Sequence, residues 1–403
     1  MNVVKFLKAS IILLLTLVAL PIGICSAAPA ISGVSGTLSH GQIVTINGSS
    51  FGVKSPVAPL LWDSVDNSYP GLTITEGGIA PTGSPYPWGS LAASSINQAA
   101  FTLTNPRGKW LAKYSNNLFL NGCPSGNPCN GGGNGNAVVG HDNFPAIAGH
   151  VMYLTYWAYP WQDPHNAASS NKFFRLTNDG GWDDEPNPCT IIWEPDSFYN
   201  YMFDTGQETL GWWVDWPGSQ FQSGEGVGQW NRKEAIIDNT FSPKPNITIN
   251  INNQLFLTGY SGVNANPGNI PQQGGNVTGS MPADITGIYT IGADWSNAQS
   301  SPTPRYDWGE IYVDNTLARV EICDQNTKSG SSHCEIQIPT TTWNNSQLQI
   351  TVNQGSFADN SSAYLYVIDA SGNVSAGQQI TFGSSSGGTS VNIPNPPTNL
   401  IAN

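Results

Sequence analysis

Charged residues are scarce in this chain, and several of them fall together in one short segment. Only 10% of the residues are Asp, Glu, Lys or Arg, yet GQWNRKEAIIDN, residues 228–239, contains four of them. Trp230, Arg232 and Glu234 are spaced by two and would share one face of a β-strand. An arginine and a carboxylate on such a face can bind a ligand, take part in catalysis, or form an ion pair that orders the sheet. The residues alone leave these three interpretations open.

Aromatic residues near the ends of predicted strands form a second group. In VMYLTYWAYPW, residues 151–161, Trp157, Tyr159 and Trp161 alternate onto one face, and Trp216 lies beside a proline in GWWVDWP. Flat rings stack on the apolar faces of sugars while their polar edges stay near water. The same rings also fill sandwich cores. Core packing is the favoured interpretation of a single ring, but less so for Trp161 and Trp216, which lie beside proline at predicted strand ends.

An acidic turn is the main candidate for binding a metal ion. NDGGWDDEPN, Asn178–Asn187, carries closely spaced oxygen ligands that suit Ca²⁺. The spacing differs from that of an EF-hand, and a solvated loop is the alternative. The five histidines show no paired metal-ligand spacing. The sequence therefore predicts no cofactor and no catalytic metal, with a structural calcium ion left open.

Strands must position these side chains. The chain contains 44 Gly and 29 Pro, and its apolar segments alternate with turn residues, which predicts an all-β fold. Between residues 57 and 316 the alternating segments include GHVMYLTYWAY, NKFFRLTN, CTIIW, NITININNQLFLTGY and WGEIYVD. Regularly spaced strands with turn signals indicate a sandwich or jelly roll.

Part of this region resembles a known family. The series GQWNRKEAIIDN, NITININNQLF and DWGEIYVDN is similar to concanavalin-like lectin and glucanase domains. The resemblance implies a jelly roll over 57–316. Related glucanases carry an E-x-D-x-x-E strand, and the nearest match, EPDSFY, has Tyr199 in the third acidic position. Glu310 and Asp314 share a strand face but lie about 13 Å apart, whereas a retaining pair needs about 5–5.5 Å.

A polysaccharide lyase is the related alternative. Lyases on jelly-roll folds neutralise a uronate carboxylate and abstract the C5 proton with Tyr or His. Arg232 suits a two-pronged carboxylate contact. The corresponding strand of those enzymes carries a second arginine two residues after the glutamate, where this chain has Ile236. The catalytic residues therefore stay unassigned.

The flanking segments resemble two halves of one TIG (IPT) domain, an immunoglobulin-like sandwich. QIVTINGSSFG, residues 42–52, is similar to its opening, and TTTWNNSQLQITVNQG and YLYVIDASGNVS to its later strands. Neither half has enough strands to close a sandwich. We predict one split domain, 31–56 plus 317–383, with 57–316 inserted and a flexible Ser/Gly/Pro tail at 384–403. Two separate small domains are the alternative.

The N-terminus and the charge indicate the compartment and exclude some partners. Lys5 and Lys8 precede the apolar run ASIILLLTLVAL, and small residues follow, which is the order of a secretory signal peptide over residues 1–27. No later run approaches the ~20 apolar residues of a membrane span. The net charge of −13 argues against binding nucleic acid. A secreted, extracellular or cell-surface protein is expected, with its oligomeric state open.

The cysteines agree with an oxidising compartment. Cys123 and Cys129 flank a short turn, and Cys323 and Cys334 flank another, which predicts two local disulfides. The zinc alternative lacks two-plus-two ligand spacing. Cys189 is left over, either free or paired between chains.

Together these features predict a secreted β-sandwich protein that binds an extracellular polysaccharide. A lyase or glycoside hydrolase acting on the same face is one alternative, and a structural or adhesive protein is another. The candidate ligand-binding residues are Trp157, Tyr159, Trp161, Trp216, Trp230, Arg232 and Glu234.

Overall fold

The computed structural model describes residues 27–65, 68–76, 78, 80–81, 85–87, 90–91, 100–102, 107, 117–119, 138–142, 151–160, 174–177, 191–194, 202–204, 228–238, 246–260, 263–264, 287–291, 306–383 and 385–386. Several predicted features lie outside these residues: the signal segment up to residue 26, Trp161, Trp216, the Cys123–Cys129 pair, Cys189, the acidic turn Asn178–Asn187 and the tail from residue 387.

The strands follow one another along the chain as β1 (Ala30–Thr37), β2 (Ile43–Ser49), β3 (Leu61–Asp63), β4 (Ser90–Leu91), β5 (Ala100–Thr102), β6 (Asn117–Phe119), β7 (Val138–Asp142), β8 (Val151–Pro160), β9 (Phe174–Thr177), β10 (Ile191–Glu194), β11 (Met202–Asp204) and β12 (Asn231–Asp238). They continue as β13 (Asn246–Ile251), β14 (Gln254–Tyr260), β15 (Val263–Asn264), β16 (Gly287–Ile291), β17 (Tyr306–Asp314), β18 (Arg319–Cys323), β19 (Cys334–Ile336), β20 (Ile338–Trp343), β21 (Gln347–Thr351), β22 (Ser362–Ile368), β23 (Gln378–Thr381) and β24 (Ser385–Ser386). A short 3₁₀ turn covers Lys328–Gly330.

These strands form antiparallel sheets, which confirms the predicted all-β class. The largest sheet has the order β15-β14-β13-β12-β8-β17-β6-β5, with β3 added on β17, and another has the order β11-β10-β9-β16-β7-β4. Two smaller sheets have the orders β20-β21-β2-β1-β24 and β19-β18-β22-β23. Among the described residues, no helix has the length and hydropathy needed to cross a membrane.

The two smaller sheets share one core, although their strands are distant in sequence. In the β2–β21 pair, Val44 lies opposite Ile350 and Ile46 lies opposite Leu348. The alternation of QIVTI turns Val44 and Ile46 inward, where both are buried. The core combines residues from 34–51 with residues from 318–382. The domain boundaries themselves stay a prediction.

Strand β8 lies at the centre of the largest sheet, between β12 and β17. The register places Arg232 opposite Trp157 and Glu234 opposite Thr155. Directly opposed residues of an antiparallel pair project from the same face. Arg232, Glu234, Trp157 and Tyr153 therefore share one side of the sheet, which we call the polar face.

A bulge in β17 changes the expected alternation of its side chains. The pairing with β8 shifts between Gly309 and Tyr312, and Glu310 has a positive φ of 51°. Glu310 forms an ion pair with Arg107, whereas Asp314 pairs with Lys54. Asp314 lies opposite Tyr153, and the Arg107 that pairs with Glu310 stacks over Trp157, so both carboxylates are on the polar face although the bulge interrupts the two-residue period between them.

Candidate functional site

The polar face of the largest sheet is covered by strand β18 of the four-stranded sheet. Glu321 of β18 lies against Arg232, with 3.2 Å between Oε1 and Nη2, and both side chains are buried. The guanidinium of Arg319 stacks over the ring of Tyr153 at 4.2 Å. The face that the sequence singles out as a candidate ligand surface thus forms a charged contact between two sheets.

The guanidinium of Arg232 donates hydrogen bonds to side chains within this contact. Its Nε donates to the Thr155 hydroxyl at 3.2 Å and its Nη1 to Asn253 Oδ1 at 3.0 Å. Its Nη2 donates to the Tyr153 hydroxyl at 3.1 Å as well as to Glu321. Desolvation opposes ionisation, but the neighbouring Glu321 outweighs it and raises the pKa of Arg232. Arg232 is a permanent buried cation that joins three strands.

Glu234 is an ionised carboxylate with both oxygens engaged. Oε1 accepts a hydrogen bond from Asn250 Nδ2 at 2.6 Å, and Oε2 accepts one from the Tyr153 hydroxyl at 2.5 Å. Desolvation raises its pKa, but Arg319 and Arg232 outweigh that effect and hold the pKa of Glu234 below the ordinary value. A glycosidase general acid must carry a proton near neutral pH. Glu234 therefore does not fit that role.

Glu321 is the anionic centre of the cluster. It contacts Lys328 at 2.5 Å, Arg319 at 2.7 Å and Arg232 at 3.2 Å. Desolvation disfavours its charged form, but the three cations outweigh it and lower the pKa of Glu321 well below the ordinary value. This carboxylate holds together side chains from β12, β18 and the turn after β18.

These pKa shifts predict a loss of stability in acid. The folded-state pKa of Glu321 and of Glu234 lies below the ordinary value of 4.5, so their stabilisation is present above that pH and is lost as the pH falls. Burial raises the pKa of Glu310 and Asp314. Protonation of these two carboxylates as the pH falls therefore favours the folded state, which opposes the effect of Glu321 and Glu234.

We expect the melting temperature of the wild type to decrease as the pH is lowered below about 4.5. We also expect the gap in melting temperature between wild type and Glu321→Gln to narrow over that range, because the amide does not titrate. Thermal melts of both proteins at several pH values check this. A gap that stays constant from pH 7 to pH 3 would contradict the assignment of Glu321 as the carboxylate whose protonation matters.

A second buried ion cluster lies between the largest sheet and the four-stranded sheet. Arg107 makes two hydrogen bonds to Glu335, at 2.7 and 2.9 Å, and also contacts Glu310. His333 Nε2 lies 2.8 Å from Glu335 and 2.9 Å from the Ser356 hydroxyl. In a Ser-His-acid triad the acid and the serine bind different ring nitrogens. Here both lie at Nε2, so the arrangement is not a triad.

An open groove of about 1080 Å³ lies beside the Glu321 cluster. Glu234, Asn250 and Asn253 form one side, and the four-stranded sheet forms the other. The side chains that line the second side carry mostly amides and hydroxyls, and Tyr364 and Val374 supply apolar surface. These lining residues are Asn326, Thr327, Lys328, Ser329, Tyr364, Tyr366, Val374, Ser375, Gln378 and Gln379.

Local structure holds both sides of this groove in place. Cys323 and Cys334 form a disulfide, which confirms the prediction for this pair. The disulfide closes the hairpin that carries Lys328. A side chain at Gly377 would meet the Tyr366 hydroxyl at 2.7 Å, so this wall is closely packed. On the other side, Asn252 and Asn253 have positive φ values of 50° and 61°, typical of a two-residue hairpin turn.

The described aromatic candidates pack against other side chains. Trp157 is only 6% exposed and lies under the guanidinium of Arg107 at 4.2 Å. Trp230 is half-buried and makes an edge contact with Tyr159, with 5.6 Å between ring centroids. Among the five candidates that the structure describes, Glu234 is the one that lines this groove.

Sequence reasoning missed the other groove residues. Tyr364 and Tyr366 alternate with Leu365 and Val367, whose side chains enter the sandwich core. Rings on the outer face of such a strand are a signal that could have marked this surface. Asn253 carried a second signal, because consecutive asparagines between two alternating runs indicate a hairpin turn.

Solved structures that resemble this chain include several β-sandwich proteins. Alginate lyase Aly36B is 12% identical, with 63% of this chain and 96% of that chain covered and a TM-score of 0.35. Endo-1,3-β-glucanase from Streptomyces sioyaensis is 13% identical, with 65% and 97% covered and a TM-score of 0.37. Lectin I-B4 from Griffonia simplicifolia is 10% identical, with 54% and 91% covered and a TM-score of 0.31.

These identities and TM-scores are low, and the matches carry no functional information for this chain. No protein-family model matches the sequence, and no curated protein matches it.

Proposed function

We propose that this protein binds an extracellular polysaccharide in the groove between the largest sheet and the four-stranded sheet. The observation that carries the proposal is the lining, which combines amide and hydroxyl side chains with the half-buried ring of Tyr364. Amides both donate and accept hydrogen bonds, as sugar hydroxyls do, and an aromatic ring stacks on the apolar face of a sugar.

The volume and the wall structure of the groove support this proposal. A volume of about 1080 Å³ accommodates several sugar units rather than a small metabolite. Its walls are held by the Cys323–Cys334 disulfide and by the ion pairs of Glu321. A preorganised wall reduces the entropy lost when a flexible polysaccharide binds.

The electrostatics at the groove favour binding over hydrolysis. Glu234 is the lining carboxylate, and its neighbours lower its pKa and hydrogen-bond both of its oxygens. Its lowered pKa suits a fixed orienting group better than a proton donor. Release of new reducing ends from a polysaccharide would instead favour the lyase or hydrolase alternative.

The same proposal includes the context of the groove. We infer that a TIG-like sandwich formed by 31–56 and 317–383 carries the jelly roll 57–316 as an insertion and that the protein is secreted. The core shared by residues from 34–51 and 318–382 supports the split domain. The disulfide supports an oxidising compartment.

Substitution of Tyr364 tests the groove. We expect Tyr364→Ala to weaken polysaccharide binding about tenfold, which corresponds to roughly 1.4 kcal/mol, because the stacking surface is lost. Titration calorimetry with a panel of neutral and uronate polysaccharides measures the affinity, and reducing-end release is followed in the same mixtures.

Tyr86→Ala is the matched control, since Tyr86 is also a half-buried tyrosine and lies away from the groove lining. Equal affinity of the folded Tyr364→Ala variant and the wild type would remove this groove as the binding site.

A further inference from the structure

Two side chains of the groove lining, Asn253 and Lys328, carry hydrogen-bond donors that the described contacts do not use, and we call their part of the groove the donor end. Asn253 Oδ1 accepts a hydrogen bond from Arg232 Nη1, and the buried Nδ2 of Asn253 has no hydrogen-bond partner among the described residues. The Lys328 ammonium carries three donors, and its ion pair with Glu321 uses one. The acceptor at this end, Glu234, has both carboxylate oxygens engaged by Asn250 and Tyr153.

The charges behind this end of the groove sum to an excess of one positive charge. Three cations, Arg232, Arg319 and Lys328, contact the two carboxylates of Glu234 and Glu321. Lys328 is the most exposed of these side chains, at 18%. Because the other two cations are buried, the excess charge reaches the groove through Lys328.

Among the described contacts, the carboxylate of Asp324, on the same hairpin, forms no ion pair with these three cations. It accepts hydrogen bonds from the hydroxyl and backbone N–H of Ser332 and from the backbone N–H of His333. These contacts direct it into its own hairpin. The donor end of the groove therefore consists of Lys328 and Asn253, next to Glu234, whose two oxygens accept hydrogen bonds from Asn250 and Tyr153.

We propose that this end of the groove binds an anionic substituent of the polysaccharide, a carboxylate or a sulfate ester, through Lys328 Nζ and Asn253 Nδ2. This inference rests on the proposed glycan-binding function and specifies its ligand class. A charge-assisted hydrogen bond is stronger than a neutral one, which makes the anion the determinant of specificity. The net charge of −13 repels polyanions elsewhere on the protein, so binding requires this local site.

Two pairs of polymers with the same backbone test the proposal on the full chain. Polygalacturonate is compared with its methyl ester, and dextran sulfate with dextran, by titration calorimetry at two salt concentrations. We expect the wild type to bind at least one anionic polymer about tenfold more tightly than its neutral counterpart, with an affinity that falls as salt rises. Polygalacturonate alone would identify a carboxylate, and dextran sulfate alone a sulfate.

Two variants link this preference to the named atoms. Lys328→Gln removes the ammonium, and Asn253→Asp replaces the free donor with an acceptor in a residue that tolerates positive φ. We expect each to weaken binding of the anionic polymer about tenfold. Lys328→Arg should retain most of it. Val53→Glu is the matched control, because it changes the net charge by the same amount as Lys328→Gln at a side chain 73% exposed outside the groove.

The outcomes separate this inference from the function on which it rests. Equal affinity for the charged and neutral forms, or unchanged affinity in folded Lys328→Gln and Asn253→Asp, would overturn the anion preference and leave the glycan site intact. Failure of the wild type to bind any of the four polymers, or any polysaccharide of the wider panel, would overturn both.

Discussion

Glu321→Ala is expected to lower the free energy of unfolding by about 3–5 kcal/mol. The substitution leaves Arg232 and Arg319 as buried cations without their shared carboxylate, and it frees Lys328. Removing one partner from a buried ion cluster costs more than the cluster contributes, because the remaining charges stay desolvated. Glu234 retains contact with both arginines and offsets only part of the lost interaction.

Urea unfolding followed by tryptophan fluorescence measures this effect. Asp324→Ala is the matched control, since it removes the same charge from the same hairpin at a partly exposed position, and we expect a loss of about 1 kcal/mol. If both substitutions have the same small effect, Glu321 is not the centre of the contact between the sheets. A double substitution, Glu321→Leu with Arg319→Leu, should be less destabilising than Glu321→Ala, because it removes one of the unpaired cations together with the carboxylate.

Trp343→Ala is the second substitution with a large expected effect, about 3–5 kcal/mol. Trp343 is buried in the core that joins the two smaller sheets, and its Nε1 donates to the backbone oxygen of Phe51 at 3.1 Å across 292 residues of sequence. The alanine variant loses both the ring volume and this hydrogen bond. Trp343→Phe keeps most of the volume, so we expect it to cost less than half as much.

A double-mutant cycle between Phe51 and Trp343 shows whether the distant segments fold as one unit. If they share a core, the effects of Phe51→Ala and Trp343→Ala should couple by about 0.5–3 kcal/mol. Chemical denaturation of the two single variants and the double variant gives this coupling. Additive effects, together with two separate unfolding transitions, would instead support two small domains.

The strand pattern and the local turn chemistry could be predicted because they depend on neighbouring residues. The alternation in QIVTI determines which side chains of β2 enter the core, and the short loop between Cys323 and Cys334 allows their disulfide. The spacing of Arg232 and Glu234 also placed both on one face of β12. Each of these inferences uses residues a few positions apart.

The bulge in β17 shows where such local reasoning stops. Spacing along a regular strand takes no account of the register shift between Gly309 and Tyr312, after which Glu310 pairs with Arg107 while Asp314 pairs with Lys54. The positive φ of Glu310 is held by the surrounding pairings and by Arg107 rather than by its own preference. No residue type between 306 and 314 predicts a positive φ at Glu310 from the sequence.

By itself, the sequence determined an all-β chain, the facing of individual strands, one disulfide and a set of polar and aromatic residues suited to sugars. Tertiary structure alone decided which of those residues line the open groove. Because Glu321 and Arg319 pack onto the polar face, Arg232 becomes a buried cation, and the open groove forms instead between Asn253 and Lys328. Burial of a charge depends on its partners from distant strands, and spacing along one strand carries no information about them.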